Sequence, residues 1–372
     1  MSEPVLRQRI ERLLAPADVV IDGSRPWDLQ VKNSHLFRRV LLQGSLGFGE
    51  SYMDGWWDSP SPDQLLTRII RANVDQQFKS LVVCYDALKA RVMNCQSRHR
   101  SFSVGERHYN IGNDLYRRML DSRMIYSCGY WRKARDLEQA QLHKLELSCR
   151  KLDLQPGQRV LDIGCGWGGT SRFMAETYGV DVVGVTISGA QAELARETCR
   201  GLPVEIRLQD YRDIDGLFDR VISIGMFEHV GYKNYGRFFS KVAALLKDDG
   251  LFLLHTIGHN ISNTKTDPWI DRYIFPNGVL PSAKQITSAY EKKFVLEDWH
   301  SFGADYDLTL MAWRENFNAA WPELRKTYDE RFRRMWNYYL NCSAASFRAR
   351  DNQLWQLVLS KQGIPGGRHF PR

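Results

Sequence analysis

The chain lacks any long apolar run. None of its hydrophobic stretches approaches the ~20 residues that a membrane-spanning helix requires, and this excludes a helical integral membrane protein. After Met1-Ser2-Glu3-Pro4 there is no basic stretch followed by an apolar core, so no secretory signal is expected. Cysteine is sparse: seven residues, at 84, 95, 128, 149, 165, 199 and 342, with no Cys-x-x-Cys pair. Such an odd, scattered set argues against disulfides or a zinc site and for reduced thiols in the cytosol. Internal repeats and low-complexity segments are also missing. What is present is ordinary for a globular protein, with 43% hydrophobic and 25% charged residues. A length of 372 residues allows two domains. The net charge of +8 suits an anionic surface, lipid or nucleic acid, without choosing between them.

Residues 1–90 read as a small, mostly helical N-terminal domain. Apolar residues recur at helical spacing around Leu6, Ile10 and Leu14, again over Phe37–Leu42, and from Leu65 to Val92. The polar, basic stretch Asn94–Ser101 places a linker at 91–101 and a second domain at 102–372. From about residue 145 apolar strands alternate with helices. Strands are expected at 159–163, 182–186, 204–208, 218–224, 251–256, 294–299 and 307–313, followed by a Trp-rich helical insertion over 314–350. That alternation predicts an α/β fold with a doubly wound parallel sheet and ligands at the carboxyl ends of its strands.

The most informative segment is Arg159-Val-Leu-Asp162-Ile-Gly164-Cys165-Gly166-Trp-Gly168, an apolar strand running into a glycine-rich turn. A glycine-rich turn alone also fits NAD or FAD. The D-x-G-x-G-x-G spacing is tighter than the dinucleotide pattern and favours S-adenosylmethionine (SAM), as in class I methyltransferases. The glycines let the backbone pass close to a cofactor. Asp162 is placed either to anchor the turn or to reach the methionine amine. Strand two ends without the acidic residue that often holds a ribose, leaving Thr186 and Gln191 as polar groups, while Ser188 is placed to cap the next helix. After strand three, Asp210 could accept from an adenine amine and Tyr211 could stack, or the segment is a plain acidic loop. No Asn-Pro-Pro-Tyr element follows strand four, which removes support for base methylation. In its place Gly225–Gly231 carries Glu228 and His229, and strand five ends with His255. His255 and His259 do not share a face on a strand, so no metal pair is expected.

Taken in order, Tyr126-Ser127-Cys128-Gly129-Tyr130-Trp131, Leu161–Gly168, Gly184–Ser188, Gly225–Gly231 and His255-Thr256-Ile257-Gly258 resemble the cyclopropane fatty acid and mycolic acid cyclopropane synthase family. Gly49–Trp57, Tyr273–Gly278 and Phe347–Asp351 extend the resemblance over nearly the whole chain. It implies a class I SAM-methyltransferase fold and methylene transfer from SAM to a cis double bond of a phospholipid acyl chain. Position by position, it implies that Tyr126 and Ser127 contact SAM beside Asp162, Gly164, Cys165, Gly166 and Gly168. Thr186, Ile187 and Gln191 would hold the ribose, and Tyr211 and Arg212 would lie near adenine. Cys128, Glu228, His255, Ile257 and Tyr306 match the family's site for a bound bicarbonate. Cys342 is one position out of register with the family's late cysteine and reads as structural. The same resemblance implies a homodimer acting at a phospholipid bilayer, cytoplasmic and peripheral to the inner face of the membrane, with residues 1–90 engaging lipid and no nucleic-acid partner. The alternative is a SAM-dependent methyltransferase acting on another lipid or small molecule.

The chemistry accounts for these residue types. An isolated alkene is a weak nucleophile with no proton to lose first, so close placement beside the methyl donor carries much of the rate. A carbocation then needs a water-free site, aromatic faces and an anion.

Overall fold

Strands buried on both faces build the larger of two compact units in the computed structural model, which describes residues 2–74 and 112–372. This unit comprises Asn94–Thr264, Asn277–Asp305 and Gln353–Arg372. Its strands are β1 (Arg159–Ile163), β2 (Asp181–Thr186), β3 (Val204–Leu208), β4 (Phe218–Ile224), β5 (Leu246–His259), β6 (Val295–Ser301) and β7 (Asn352–Ser360). They form one seven-stranded sheet in the order β3-β2-β1-β4-β5-β7-β6. The first five pair in parallel, and β6 and β7 pair antiparallel. The sheet is therefore mixed rather than wholly parallel.

Alternation along each strand sends side chains to opposite faces. Leu161, Val183, Val221, Phe252 and Leu357 join a core on one face, and Val160, Val182, Ile222, Leu253 and Val358 a core on the other. Burial on both sides is why Val182–Val185 of β2 and Leu251–Leu254 of β5 read as continuous apolar runs.

One expected strand is absent. Residues 307–313 lie within the helix Ala304–Leu324, and the seventh strand is β7, inside a stretch where no strand is expected from the sequence pattern. The buried positions Tyr306, Thr309, Leu310, Trp313, Phe317, Trp321 and Leu324 follow helical spacing over about six turns, which outweighs the local β character of Leu308–Leu310.

The smaller unit comprises Met1–Met93, Lys265–Pro276 and Tyr306–Asn352. The N-terminal helices share this unit with the late helices, whose side chains pack into its core. Trp57, fully buried, stacks on Phe48 at 4.4 Å and meets Tyr338 edge-on at 6.3 Å. Arg334 Nη2 donates to Trp57 O at 2.9 Å and to Asp58 at 2.8 Å. The expected linker at 91–101, and the apolar pattern from Leu81 to Val92, lie outside the described residues.

Candidate functional site

Three glycines draw the strand ends of the larger unit together. A Cβ on Gly164, which has φ +86°, would lie 2.8 Å from Met226 Cβ, so the turn after β1 touches the loop after β4. A Cβ on Gly169 would fall 2.2 Å from Arg123 O, which sets the following helix (Gly169–Tyr178) directly against the 123–128 loop. A Cβ on Gly225 would reach Ser127 Cβ at 4.0 Å. A Cβ on Gly166, at φ +54°, would meet no atom of the described residues within 4 Å. That open space beside a left-handed glycine fits a cofactor lying along the turn.

Polar groups around this turn have defined tasks. Asp162 is buried, which pushes its carboxyl up to about 6, and it accepts from Ser171 Oγ at 2.7 Å. Of its two expected roles, the geometry displays the anchor to the first helical turn. Thr186 Oγ1 and Gln191 Oε1 are joined at 2.9 Å, and Ser188 caps the Gly189–Thr198 helix at Gln191 N, 3.4 Å away. Ile187 sits half-buried between them. Cys165 is buried, which pushes its thiol upward and leaves it inert. After β3, Asp210 accepts from Arg212 N at 3.0 Å and Arg212 Nε at 2.8 Å. This carboxylate braces Arg212 and its own turn. Tyr211 packs edge-on against Phe238 at 5.3 Å, and burial pushes its phenol up to about 12. Tyr126 meets Tyr116 at 5.2 Å, and Tyr116 meets Trp167 of the glycine turn at 4.8 Å. The aromatic chain ties the 126–128 loop to β1.

A second cluster lies at the ends of β4 and β5. Glu228 is buried; its Oε1 accepts from Ile257 N at 2.6 Å, and Oε2 has no partner among the described residues. Burial pushes this carboxyl up to about 7, against the pull of the Ile257 amide. His255 is 1% exposed, and burial holds its imidazole neutral, helped by the nearby charges of Lys144 and Lys151. Its Nδ1 lies 3.2 Å from Gln356 Nε2, while Nε2 has no partner among the described residues. Buried polar atoms without a partner among the described residues make Glu228 and His255 candidates for holding a further group. Cys128 is buried, with its thiol directed to Gly129 O at 3.1 Å.

Tyr306 belongs to the smaller unit, where it stacks on Phe347 at 4.6 Å and meets Trp313 edge-on at 6.0 Å. Cys342 lies there too, its thiol raised by burial and donated to Tyr339 O at 3.3 Å, which suits a structural residue.

One contributing element is not anticipated by any motif. The helix Leu137–Leu152 turns Gln141, Lys144 and Ser148 inward, all three fully buried. Gln141 Nε2 donates to Ser127 O at 2.7 Å and Lys144 Nζ to Ser127 Oγ at 3.0 Å. Burial brings the Lys144 ammonium down to about 8. Polar residues at i, i+3 and i+7 on a face otherwise lined by Ala140, Leu145 and Leu152 are the available signal.

The family described as mycolic acid cyclopropane synthetase matches residues 96–357. The chain belongs to this family. Its relatives include the cyclopropane-fatty-acyl-phospholipid synthase of Escherichia coli (strain K12), 54% identical over 97% of this chain and 94% of that protein. The tuberculostearic acid methyltransferase of Mycobacterium tuberculosis is 34% identical over 89% of this chain and 82% of its own length. Among solved structures, the mycolic acid cyclopropane synthase CmaA1 complexed with SAH and CTAB superposes with a TM-score of 0.66 at 32% identity, covering 70% of this chain and 98% of that one. The cyclopropane synthase fold is thus the fold of this chain.

Proposed function

We propose that the protein transfers a methylene group from SAM to the cis double bond of an unsaturated acyl chain in a membrane phospholipid, leaving a cyclopropane ring. The observation that carries this reading is the end-to-end similarity to a synthase named for that product. The Gly166 turn, open among the described residues, and the buried Glu228 and His255 support this reading. When bound, SAM supplies an electrophilic methyl group, and the alkene's π electrons form the new carbon–carbon bond as the carbon–sulfur bond breaks. The residues proposed to hold it are Tyr126, Ser127, Gly164–Gly168, Thr186, Ile187, Gln191, Tyr211 and Arg212. Their work is orientation: the alkene lacks an acidic proton, so no base is needed before bond formation.

The acyl carbocation must then lose a proton from the transferred carbon so that the electrons of that C–H bond close the ring. Cys128, Glu228, His255 and Ile257 are proposed to hold a bicarbonate whose chemistry is to accept this proton. A small anion suits the step better than a nucleophilic side chain, which the cation would alkylate. Phe302, edge-on to His255 at 5.7 Å, adds an aromatic wall. Analysis of acyl chains after incubation with SAM and unsaturated phospholipid tests the reading as a whole.

The N-terminal residues 1–90 are proposed to engage the bilayer. No helix among the described residues is long and apolar enough to cross a membrane. Val5, Val20 and Leu42 are nevertheless 48%, 51% and 61% exposed, which suits shallow contact with lipid. The variant Val20→Asp/Leu42→Asp is expected to sediment several-fold less with anionic vesicles while binding SAM normally in calorimetry. Undiminished sedimentation would remove this surface from the account. A homodimer is proposed as well, and sedimentation equilibrium showing a monomer would contradict it.

A further inference from the structure

Gln356 interrupts the apolar run Leu354–Leu359 of β7 and is wholly buried, so its amide must be explained by what it touches. Its Nε2 lies 3.0 Å from Ser148 Oγ and 3.2 Å from His255 Nδ1. Ser148 donates its own hydroxyl proton to Lys144 O at 2.8 Å, and so offers Gln356 only lone pairs. With the amide placed this way, Gln356 Oε1 has no partner among the described residues, and both amide hydrogens are donated, one to Ser148 and one to His255. A ring nitrogen that accepts carries no proton, which leaves the imidazole proton on Nε2.

We propose that Gln356, oriented by Ser148, is a positioning residue that fixes His255 as the neutral tautomer protonated on Nε2. This nitrogen then serves the acid–base cluster as a hydrogen-bond donor, and His255 is excluded as the base for ring closure. The proposal deepens the bicarbonate reading above, since a donor at Nε2 is what an oxyanion requires. The groups that face His255 agree with a neutral ring. Lys144 and Lys151 approach it from the Leu137–Leu152 helix and His300 from β6, and all three disfavour a second proton. Glu228, on the loop after β4, is held uncharged below about 7 by its burial. Phe302 presents its ring edge at 5.7 Å and contributes no charge.

The test is nitrogen NMR on the full chain labelled with ¹⁵N-histidine, with the His255 signals assigned by their loss in His255→Asn. The expected result is an unprotonated Nδ1 and a proton bonded to Nε2, unchanged from pH 6 to pH 8. A proton on Nδ1, or a ring that becomes doubly protonated in that window, overturns the proposal. A second arm uses Gln356→Glu, whose carboxylate accepts from Nδ1–H and so inverts the tautomer and favours the imidazolium. Its kcat should fall at least tenfold, with KM for SAM unchanged and a new loss of rate at the acid end of the pH profile. Wild-type kcat and pH profile in that variant would overturn the assignment. Should Gln356→Glu fail to fold, the wild-type spectrum decides alone. The spectrum needs neither substrate nor bicarbonate: an Nε2–H ring in an enzyme indifferent to carbonate would sink the anion and uphold the tautomer.

Discussion

Glu228→Gln is expected to lower turnover by about 10²–10⁴-fold, the usual loss when general-base support is removed, with SAM affinity unchanged because the glycine turn is untouched. Gln preserves the shape and can still accept from the Ile257 amide, so the loss reports on the acid–base group. Stability should move the other way. The folded Glu228 value, about 7, lies above the ordinary 4.5, so the protonated form is the one the fold favours. Its stabilising effect is complete below the ordinary value and is lost as pH rises through about 7. Each pH unit separating the folded and unfolded values corresponds to about 1.36 kcal/mol, so the cost at pH 8 is on the order of a few kcal/mol. Glu228→Gln, which never ionises, should therefore melt higher than wild type at pH 8 and close to it at pH 5. A variant that melts lower at both pH values would show that Glu228 merely braces the loop. The same account requires that removing dissolved carbon dioxide slow the wild type and that added bicarbonate restore it. A rate indifferent to carbonate in a degassed assay would assign the proton to water or a side chain instead.

Gly166→Val is expected to weaken SAM binding by more than about 100-fold, roughly 2.7 kcal/mol at room temperature, with the fold retained. Gly166 has φ +54° and, among the described residues, nothing within 4 Å of where a Cβ would project, so the new side chain would enter the space assigned to the cofactor. A branched residue in the left-handed region also carries backbone strain of about 1–2 kcal/mol, which must be separated from a direct clash. Gly157 supplies the control. It has φ +80°, equally empty surroundings, and a position in the turn that enters β1 at the opposite end of the strand. Gly157→Val should share the strain and keep SAM affinity. Calorimetry on the two variants, with circular dichroism to confirm folding, makes the comparison. Equal affinity in both would remove the cofactor from the Gly164–Gly168 turn.

The parallel strands are legible in the sequence because burial on both faces favours apolar runs, as at Val182–Val185 of β2 and Leu251–Leu254 of β5, while β3 alternates Val204, Ile206 and Leu208 with Glu205 and Arg207. The seventh strand is not, because Gln353 and Gln356 break the apolar run of β7, while Asp307–Trp313 has β-like local composition inside a helix whose face emerges only over about six turns. The glycine turn announces itself through backbone conformations that few residues adopt. Thr186 and Gln191 are visible as the polar groups left at the end of β2, although their mutual hydrogen bond is not. Lys144 and Gln356 are hidden for a different reason. Their roles arise from pairings across 17 and 101 residues of chain, to Ser127 and to His255, and local periodicity carries no trace of such partners. The packing of the smaller unit is hidden on the same ground, since Trp57 and Arg334 meet across 277 residues.

The most direct test of the central claim is product analysis. The full-length protein would be incubated with SAM and vesicles of a phospholipid bearing one cis-unsaturated acyl chain, and the released acyl chains examined by gas chromatography and mass spectrometry. The account predicts chains heavier by one CH₂ unit, with the olefinic protons replaced by cyclopropane protons and one SAH formed per ring. A methyl-branched chain, a methylated headgroup, or SAH formed while the double bond persists would contradict it.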